Sequence, residues 1–442
     1  MARVVMVAGL SWGDEGKGAA VDWLCRRGDG PKTVVRYNGG AQAGHNVVTS
    51  DGRHHTFSQF GAGTFAGART FLSRHMIVNP LSFEPEARHL EERIASNPHA
   101  LVTVDREALV TTPYHIAVNR LRELLRGDGR HGSCGMGVGE TVATARILGK
   151  YALRVGDLEE TSLAERKLDL LLALINCQVD ELRKEYQDAI KSRSIELAVN
   201  KICRPLRGYI AETESLRAFV SKVQVVDGRE HLRGLLRSPG HLVFEGAQGV
   251  LLDERHGFHP HTTWSDCTFG NADRMLDEVD GPERTRVGCL RAYHTRHGAG
   301  PFPTERRDWR PAGDHNAEHE WQGAFRVGHL DGDLVRYAVD ALRGLDEVHV
   351  SCLDAMDVGG VRISSPRVDR SMFYVAGEAL SEASALLAQE RMGEYLARTP
   401  VDYGPPLSVA EHVARISELC RAPVTVVGRG PRAEDRHTSK ET

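Results

Sequence analysis

The chain has 442 residues, a formal net charge of −4, 26% charged and 41% hydrophobic residues. These are ordinary values for a globular enzyme of one large or two smaller domains, and they give no electrostatic reason to expect nucleic acid or an anionic membrane as partner. No apolar run approaches the about 18 residues of a membrane span, Met-Ala-Arg followed by a strand is not a signal peptide, and the eight cysteines form no C-x-x-C pair, so reduced thiols in a cytoplasmic protein are expected.

In chain order, Val4 to Val7 is a short β-branched run and reads as a buried strand. Trp12-Gly13-Asp14-Glu15-Gly16-Lys17-Gly18 follows, and Ala19 to Arg27 reads as a helix. Strand, glycine-rich loop and helix start make a phosphate-binding arrangement, because backbone N–H groups and the helix dipole favour an anion. It is not a Walker A loop: Ser11 stands five residues before Gly16, and Gly18 follows the lysine. Thr33 to Tyr37 reads as a second strand and Gly39 to Asn46 as a second loop. Two strands of a β-α-β unit are expected side by side with their loops at one end, so Asp14 and His45 face one site as a base and an acid.

Ala66 to Pro80 carries strand-like segments, Leu81 to Asn97 a charged amphipathic helix, Ala100 to Val104 a strand and His115 to Leu125 a helix. Gly132 to Gly139 holds four glycines in eight residues, either a surface loop or a phosphate contact. A helical insertion is expected over about 160–225: Leu163 to Val199, broken near Ser192, then a helix near Ser215 to Val223. Val243 to Glu245 returns to a buried strand, and the glycines after it set Gln248 at a strand end, suited to a purine edge. The histidines at 256, 259 and 261 lack the cysteine or carboxylate spacing of a zinc site. Leu334 to Leu342, Met372 to Arg398 and His412 to Cys420 read as helices, Glu347 to Cys352 and Val424 to Val427 as strands, and about 432–442 as a polar tail.

Five blocks carry a resemblance. Gly-Asp-Glu-Gly-Lys-Gly at 13–18, the Gly39 to Asn46 loop, Phe244 to Gly249 with Leu251 to Asp253, Thr295 to Glu305, and Gly428 to Pro431 are similar, in the expected order, to the adenylosuccinate synthetases, GTP-dependent ligases of purine synthesis. The resemblance implies an α/β fold of the P-loop NTPase-related kind, one domain over 1–442 with a mostly parallel central sheet and helical insertions. It implies ligation of L-aspartate to C6 of IMP, giving adenylosuccinate, GDP and phosphate, in a homodimer that acts on small molecules.

By the same resemblance Asp14 is the base and His45 the acid. Gly13, Glu15, Gly16, Lys17, Gly18, Gly44, His45 and Asn46 would hold the GTP phosphates. Cys352, Leu353, Asp354, Gly428, Arg429 and Gly430 would hold its guanine, whose N1–H and N2–H₂ suit the Asp354 carboxylate. Asp14, Lys17, Gln42, Ala43, Gly44, His45, Cys134, Lys150, Gln248 and Thr263 would hold IMP, with Lys150 at the place of an arginine that reaches the partner subunit's nucleotide. Asp14 and the Gly44 carbonyl would hold Mg²⁺. Departures stand at Cys134 and Cys352, where the family carries a hydroxyl and a lysine. They are widest over 316–331, where a Thr-Thr-Gly-Arg-rich loop is replaced and Gly323 and Arg326 remain as the amino-acid contacts. Glu318 and Glu320 beside a dicarboxylate imply a raised KM for aspartate. Other readings stay open: the same ligase chemistry with another purine nucleotide or amine, or a GTP-binding regulatory protein. Retention of Asp14 favours a purine without a 2-amino group.

Overall fold

The computed structural model describes residues 2–207, 209–311, 320–368 and 382–439. Ten strands form one sheet: β1 (Arg3–Gly9), β2 (Lys32–Arg36), β5 (Arg69–Leu72), β6 (Val102–Asp105), β7 (Gln224–Val226), β8 (His241–Glu245), β9 (Arg284–Arg291), β12 (Glu347–Ser351), β13 (Val424–Gly428) and β14 (Arg436–Thr438). Their order is β14-β13-β12-β9-β1-β8-β2-β5-β6-β7. Each neighbouring pair is parallel except β13 with β14 at the edge. The central strands are apolar on both faces because two hydrophobic clusters cover them, one containing Met6, Phe244 and Val350, the other Val5, Val7 and Val243. Two antiparallel hairpins stand outside this sheet: β3 (His45–Val48) with β4 (His54–Phe57), and β10 (His294–His297) with β11 (Phe325–Gly328).

Parallel strands bring the loops after β1, β2, β8, β9, β12 and β13 to one edge, where open α/β sheets bind ligands. One expectation is corrected here. β1 and β2 are not side by side, since β8 lies between them and pairs with both. A strand some 200 residues later in the chain fills the gap, and both loops still emerge at the same edge.

Helix α1 (Lys17–Arg26) starts at Gly16, which has a left-handed φ of 83°. Gly18 lies so close to β3 that an added Cβ would stand 2.8 Å from the His45 Cβ. Any side chain there would push the two loops apart, so this glycine lets α1 and β3 meet. Thr161–Glu185, Gln187–Ile190, Arg193–Ile202 and Tyr209–Val220 are α-helical, with the first three separated by breaks at Tyr186 and Ser192. Among the described residues no helix is long and apolar enough to cross a membrane.

The end of the chain differs from the expected polar tail. Arg436 to Thr438 pair with β13, and Arg436 is buried, donating from Nη2 to Ser351 Oγ at 2.8 Å. An antiparallel edge strand tolerates polar residues, which is why its composition looked like a tail. Of the expected helix over Met372 to Arg398, Glu382–Arg398 is described and helical; residues 372–381 lie outside the described residues.

Candidate functional site

The loop after β1 is braced from within. Glu15 is buried, and its Oε1 accepts from the N–H groups of Ser11 (3.0 Å) and Gly13 (2.9 Å). Its Oε2 meets Lys17 Nζ at 2.5 Å, and Lys17 is buried too. The Glu15 side chain, expected among the phosphate contacts, is instead an internal anion that shapes the loop; only its backbone N–H remains for a ligand. Gly13 (φ 94°), Asp14 (φ 61°) and Gly16 all take left-handed backbone, and Asp is among the few side chains that tolerate it.

Asp14 is held at two points. Its carbonyl accepts from Arg291 Nε at the end of β9, and its Oδ2 lies 2.9 Å from His297 Nε2 at the end of β10. Burial pushes the carboxyl up, but the bond and charge of His297, with Arg291 and Lys17, hold it down at about 2. It is therefore ionised and able to accept a proton.

His45 opens β3 and is buried, with Nδ1 bonded to Glu245 Oε1 at the end of β8. The other carboxylate oxygen accepts from Ala62 N at 3.0 Å. Burial would raise the Glu245 carboxyl, but His45 and Arg36 bring it below its ordinary value. Burial lowers the His45 imidazole more than Glu245 raises it. An ionised acceptor on Nδ1 fixes that nitrogen's proton and leaves Nε2 for chemistry. Asp14 and His45 both feel the charge of Lys17. Asn46, next on β3, points to the opposite face and accepts from Thr56 Oγ1 at 2.6 Å, so its side chain does not share the His45 site.

Beside this loop lies a cavity of about 440 Å³. Its walls include Gln42, Cys134, Gln248 and Thr263 from the sequence expectations, with Trp12, His261, Arg296 and His297 added by the fold. Trp12 Nε1, both amide atoms of Gln42, Gln248 Oε1 and His297 Nδ1 are buried without a hydrogen-bond partner. Buried polar groups left unpaired cost about 1–3 kcal/mol each, so a cluster of them in one cavity wall marks donors and acceptors set out for a ligand. Two ion pairs, Arg122–Glu140 and Arg126–Glu123, each at 3.0 Å, line another part of the wall. Burial pushes the Cys134 thiol up to about 11, so it is a neutral wall group. Ala43 is buried, with its N–H on the Gly40 carbonyl at 3.1 Å. Lys150 is exposed outside the cavity, its ammonium 5.1 Å from the Tyr151 ring.

At the neighbouring strand ends, β12 and β13 pair through Val350 and Val427, which puts Cys352, Leu353 and Asp354 next to Gly428, Arg429 and Gly430. Leu353 points into the core, so only its backbone can reach a base. Cys352 takes a left-handed φ of 59°, and Asp354 is exposed. Partial desolvation and nearby Asp357 raise the Asp354 carboxyl against the pull of Arg429.

The loop expected to choose the amino acid differs most from expectation. Arg326 donates from Nε to the Gly298 carbonyl (2.9 Å), from Nη1 to Glu305 (3.0 Å) and from Nη2 to the Gly300 carbonyl (3.0 Å). Its guanidinium thus ties the loop after β10 with three of its five N–H groups, leaving one on each Nη for a carboxylate. Gly323 (φ 89°) lies against Gly298, Trp321 packs on Gly135, and Gln322 lines the cavity. Glu320 is exposed, while Glu318 falls outside the described residues.

Sequence reasoning missed His297, Glu245 and Arg291. Glu245 was findable, since it ends the buried strand before Gly246-Ala247-Gln248-Gly249 and a buried carboxylate there needs a partner. His297 and Arg291 carry no local signal, because they reach Asp14 only through the sheet order.

Comparison with known proteins places this geometry. The family model for adenylosuccinate synthetase matches residues 6–365. Adenylosuccinate synthetase of Neisseria gonorrhoeae is 30% identical over 98% of both chains, and that of Thermobifida fusca 31% over 97% of both. Among solved structures, fully ligated adenylosuccinate synthetase from Plasmodium falciparum superposes with a TM-score of 0.71 at 20% identity, covering 99% of this chain and 100% of that one. Cyanophage S-2L succinoaminodeoxyadenylate synthetase, bound to dGMP and dATP, gives 0.58 at 17% identity over 99% and 96%. At these identities the structures speak for the fold.

Proposed function

The chain belongs to the adenylosuccinate synthetase family, and we propose that it acts as a GTP-dependent ligase joining L-aspartate to C6 of IMP, as one catalytic domain in a cytoplasmic homodimer. The observation that supports this most is the meeting of two things at one sheet edge: the phosphate loop with Asp14 and His45, and the cavity with unpaired Gln42, Gln248 and Trp12.

The chemical problem is that purine O6 is a poor leaving group. Asp14, ionised and anchored, takes the N1 proton of IMP, and the charge passes to O6. O6 attacks the γ-phosphorus of GTP, and the bond from that phosphorus to the β,γ-bridging oxygen breaks. His45 hydrogen-bonds the leaving GDP, and protonation of Nε2 is favoured once anionic phosphate lies against it. The aspartate amine then attacks C6, the C6–O6 bond breaks, and O6 leaves with the phosphate. Lys17 and the backbone N–H groups from Gly13 to Gly18 offset charge on the phosphates. Gln248 and Gln42 orient the purine, with Ala43, Gly44, Cys134 and Thr263 around it; Lys150 serves the partner subunit. Asp354 and the backbone of Cys352, Leu353, Gly428, Arg429 and Gly430 read guanine.

The Asp14 carboxylate and the Gly44 carbonyl are hard oxygen donors and fit Mg²⁺. Among the described residues no cluster of three His, Cys, Asp or Glu is arranged for a metal, so phosphate oxygens would complete its coordination. When bound, Mg²⁺ supplies charge neutralisation on the triphosphate.

Arg326 and backbone N–H groups near Gly323 hold the amino acid. With Arg326 already bonded to two carbonyls and Glu305, aspartate is expected to bind with a raised KM. The test is GDP release with aspartate, asparagine, glutamate and glycine at saturating IMP and GTP. Highest kcat/KM with aspartate supports the reading; highest with a non-dicarboxylate amine overturns the aspartate assignment and favours the same chemistry on another amine. GDP release independent of any amine favours the regulatory reading.

A further inference from the structure

Asp14 stands on a loop with two rotatable side-chain bonds, yet a general base works only if one oxygen points at the proton it takes. Its backbone is fixed by the left-handed φ of 61° and by Arg291 on its carbonyl. Among the described residues its side chain is fixed by one group, His297, 2.9 Å from Oδ2. His297 closes β10, where the register pairs it with Phe325 of β11, and the two rings lie 4.8 Å apart. Next to Phe325, Arg326 ties the Gly298 carbonyl and so holds the chain immediately after His297. His297 also lines the cavity beside Trp12 and Gln248.

We propose that His297 is a positioning residue for the proton-accepting step: it donates from Nε2 to Asp14 Oδ2 and turns the other carboxylate oxygen towards the purine in the cavity. The β10–β11 hairpin, through Phe325 and Arg326, sets the angle of that imidazole. The loop that receives the amine is thereby mechanically joined to the base that activates the purine. This rests on the ligase reading above for the identity of the proton, though the contact itself does not. A displacement of about 1 Å in such a group costs up to about 100-fold in rate, which sets the scale of the effect.

The test uses full-length His297→Phe, which keeps a ring against Phe325 and removes the donor, and His297→Gln, which restores an amide N–H near the Nε2 position. GDP release is measured with IMP, GTP and aspartate. His297→Phe is expected to lower kcat by roughly 10- to 100-fold with KM for GTP unchanged within about twofold, and His297→Gln to recover to within about fivefold of wild type. A kcat for His297→Phe within about twofold of wild type, or a glutamine variant no better than phenylalanine, overturns the proposal. Wild-type protein that releases no GDP with IMP counts against the proposed function alone. The contact is then decided without substrate, by the side-chain ¹³C carboxyl resonance of Asp14, assigned by its loss in Asp14→Asn. It should move in His297→Phe and return in His297→Gln; an unmoved resonance in both overturns the proposal.

Discussion

The loop after β1 and the loop before β11 border the same site and are built on opposite principles. The first is bound into the sheet: Gly13, Asp14 and Gly16 take left-handed backbone, Glu15 fills the loop from inside, and Arg436 and Ser351 close it from behind. Few residue types satisfy those demands, and the motif is correspondingly intact. The second hangs on a two-stranded hairpin outside the sheet and is held by Arg326 on loop carbonyls. Side chains there can change while the sheet stays as it is. In the proposed function, phosphate activation falls to the rigid edge and choice of amine to the hairpin loop.

This contrast is most sharply broken or kept by single substitutions on each side. Asp14→Asn should lower kcat by about 10²–10⁴ with GTP binding roughly intact, since the amide keeps the size but takes no proton. More than about a tenth of wild-type turnover would remove Asp14 as the base. Arg326→Ala should cost roughly 2–4 kcal/mol in kcat/KM for the amine and leave KM for GTP in place. A KM for GTP that rose as well would show that the hairpin reaches the phosphate loop through more than the His297 contact. Asp354→Asn should shift preference from GTP towards XTP by about 1–3 kcal/mol, ten- to hundredfold in KM, because an amide can donate to xanthine O2. Unchanged kinetics with both triphosphates would mean guanine is read elsewhere.

The smallest effect concerns acid. His115, beneath the glycine-rich wall loop, is buried and bonded to Thr112 and Thr144, and burial pushes it down to about 3. It is neutral in the folded and unfolded chains above pH ~6.5. As pH falls below that, only the unfolded chain takes the proton, so stability is lost down towards the folded value. Between pH 7 and about 5.5 this one group should account for about 1 kcal/mol, read as a shallower fall in urea stability for His115→Gln. An equal fall in the variant would assign the acid sensitivity to other groups.

What the sequence made legible follows the same division. β1 and the strands ending at Glu245 and Gly428 are legible as apolar runs that end at or next to glycine, and the strand ending at Ser351 as an apolar, β-branched run. β9 did not, because Arg284 and Arg286 stand in it. They are matched by Asp273 and Asp277 on the Gly270–Asp277 helix that precedes the strand, a pairing between two elements that no periodicity within either reveals. Insertion of β8 between β1 and β2 was hidden for the same reason. The sequence offers Arg326 as an amino-acid contact and hides its other partners, two backbone carbonyls and Glu305, because they lie 21 to 28 residues away in sequence. Residue type told what each side chain can do, and the sheet order decided what it meets.

In the proposed mechanism O6 of the purine attacks GTP and leaves as part of the phosphate. IMP labelled with ¹⁸O at O6 tests this directly, with GTP, aspartate and Mg²⁺ present and the released phosphate read by mass spectrometry. One ¹⁸O is expected in each phosphate formed, matched to GDP and to adenylosuccinate. Phosphate free of ¹⁸O, its fourth oxygen taken from solvent, would show that water, not the purine, attacks GTP, and would contradict this mechanism.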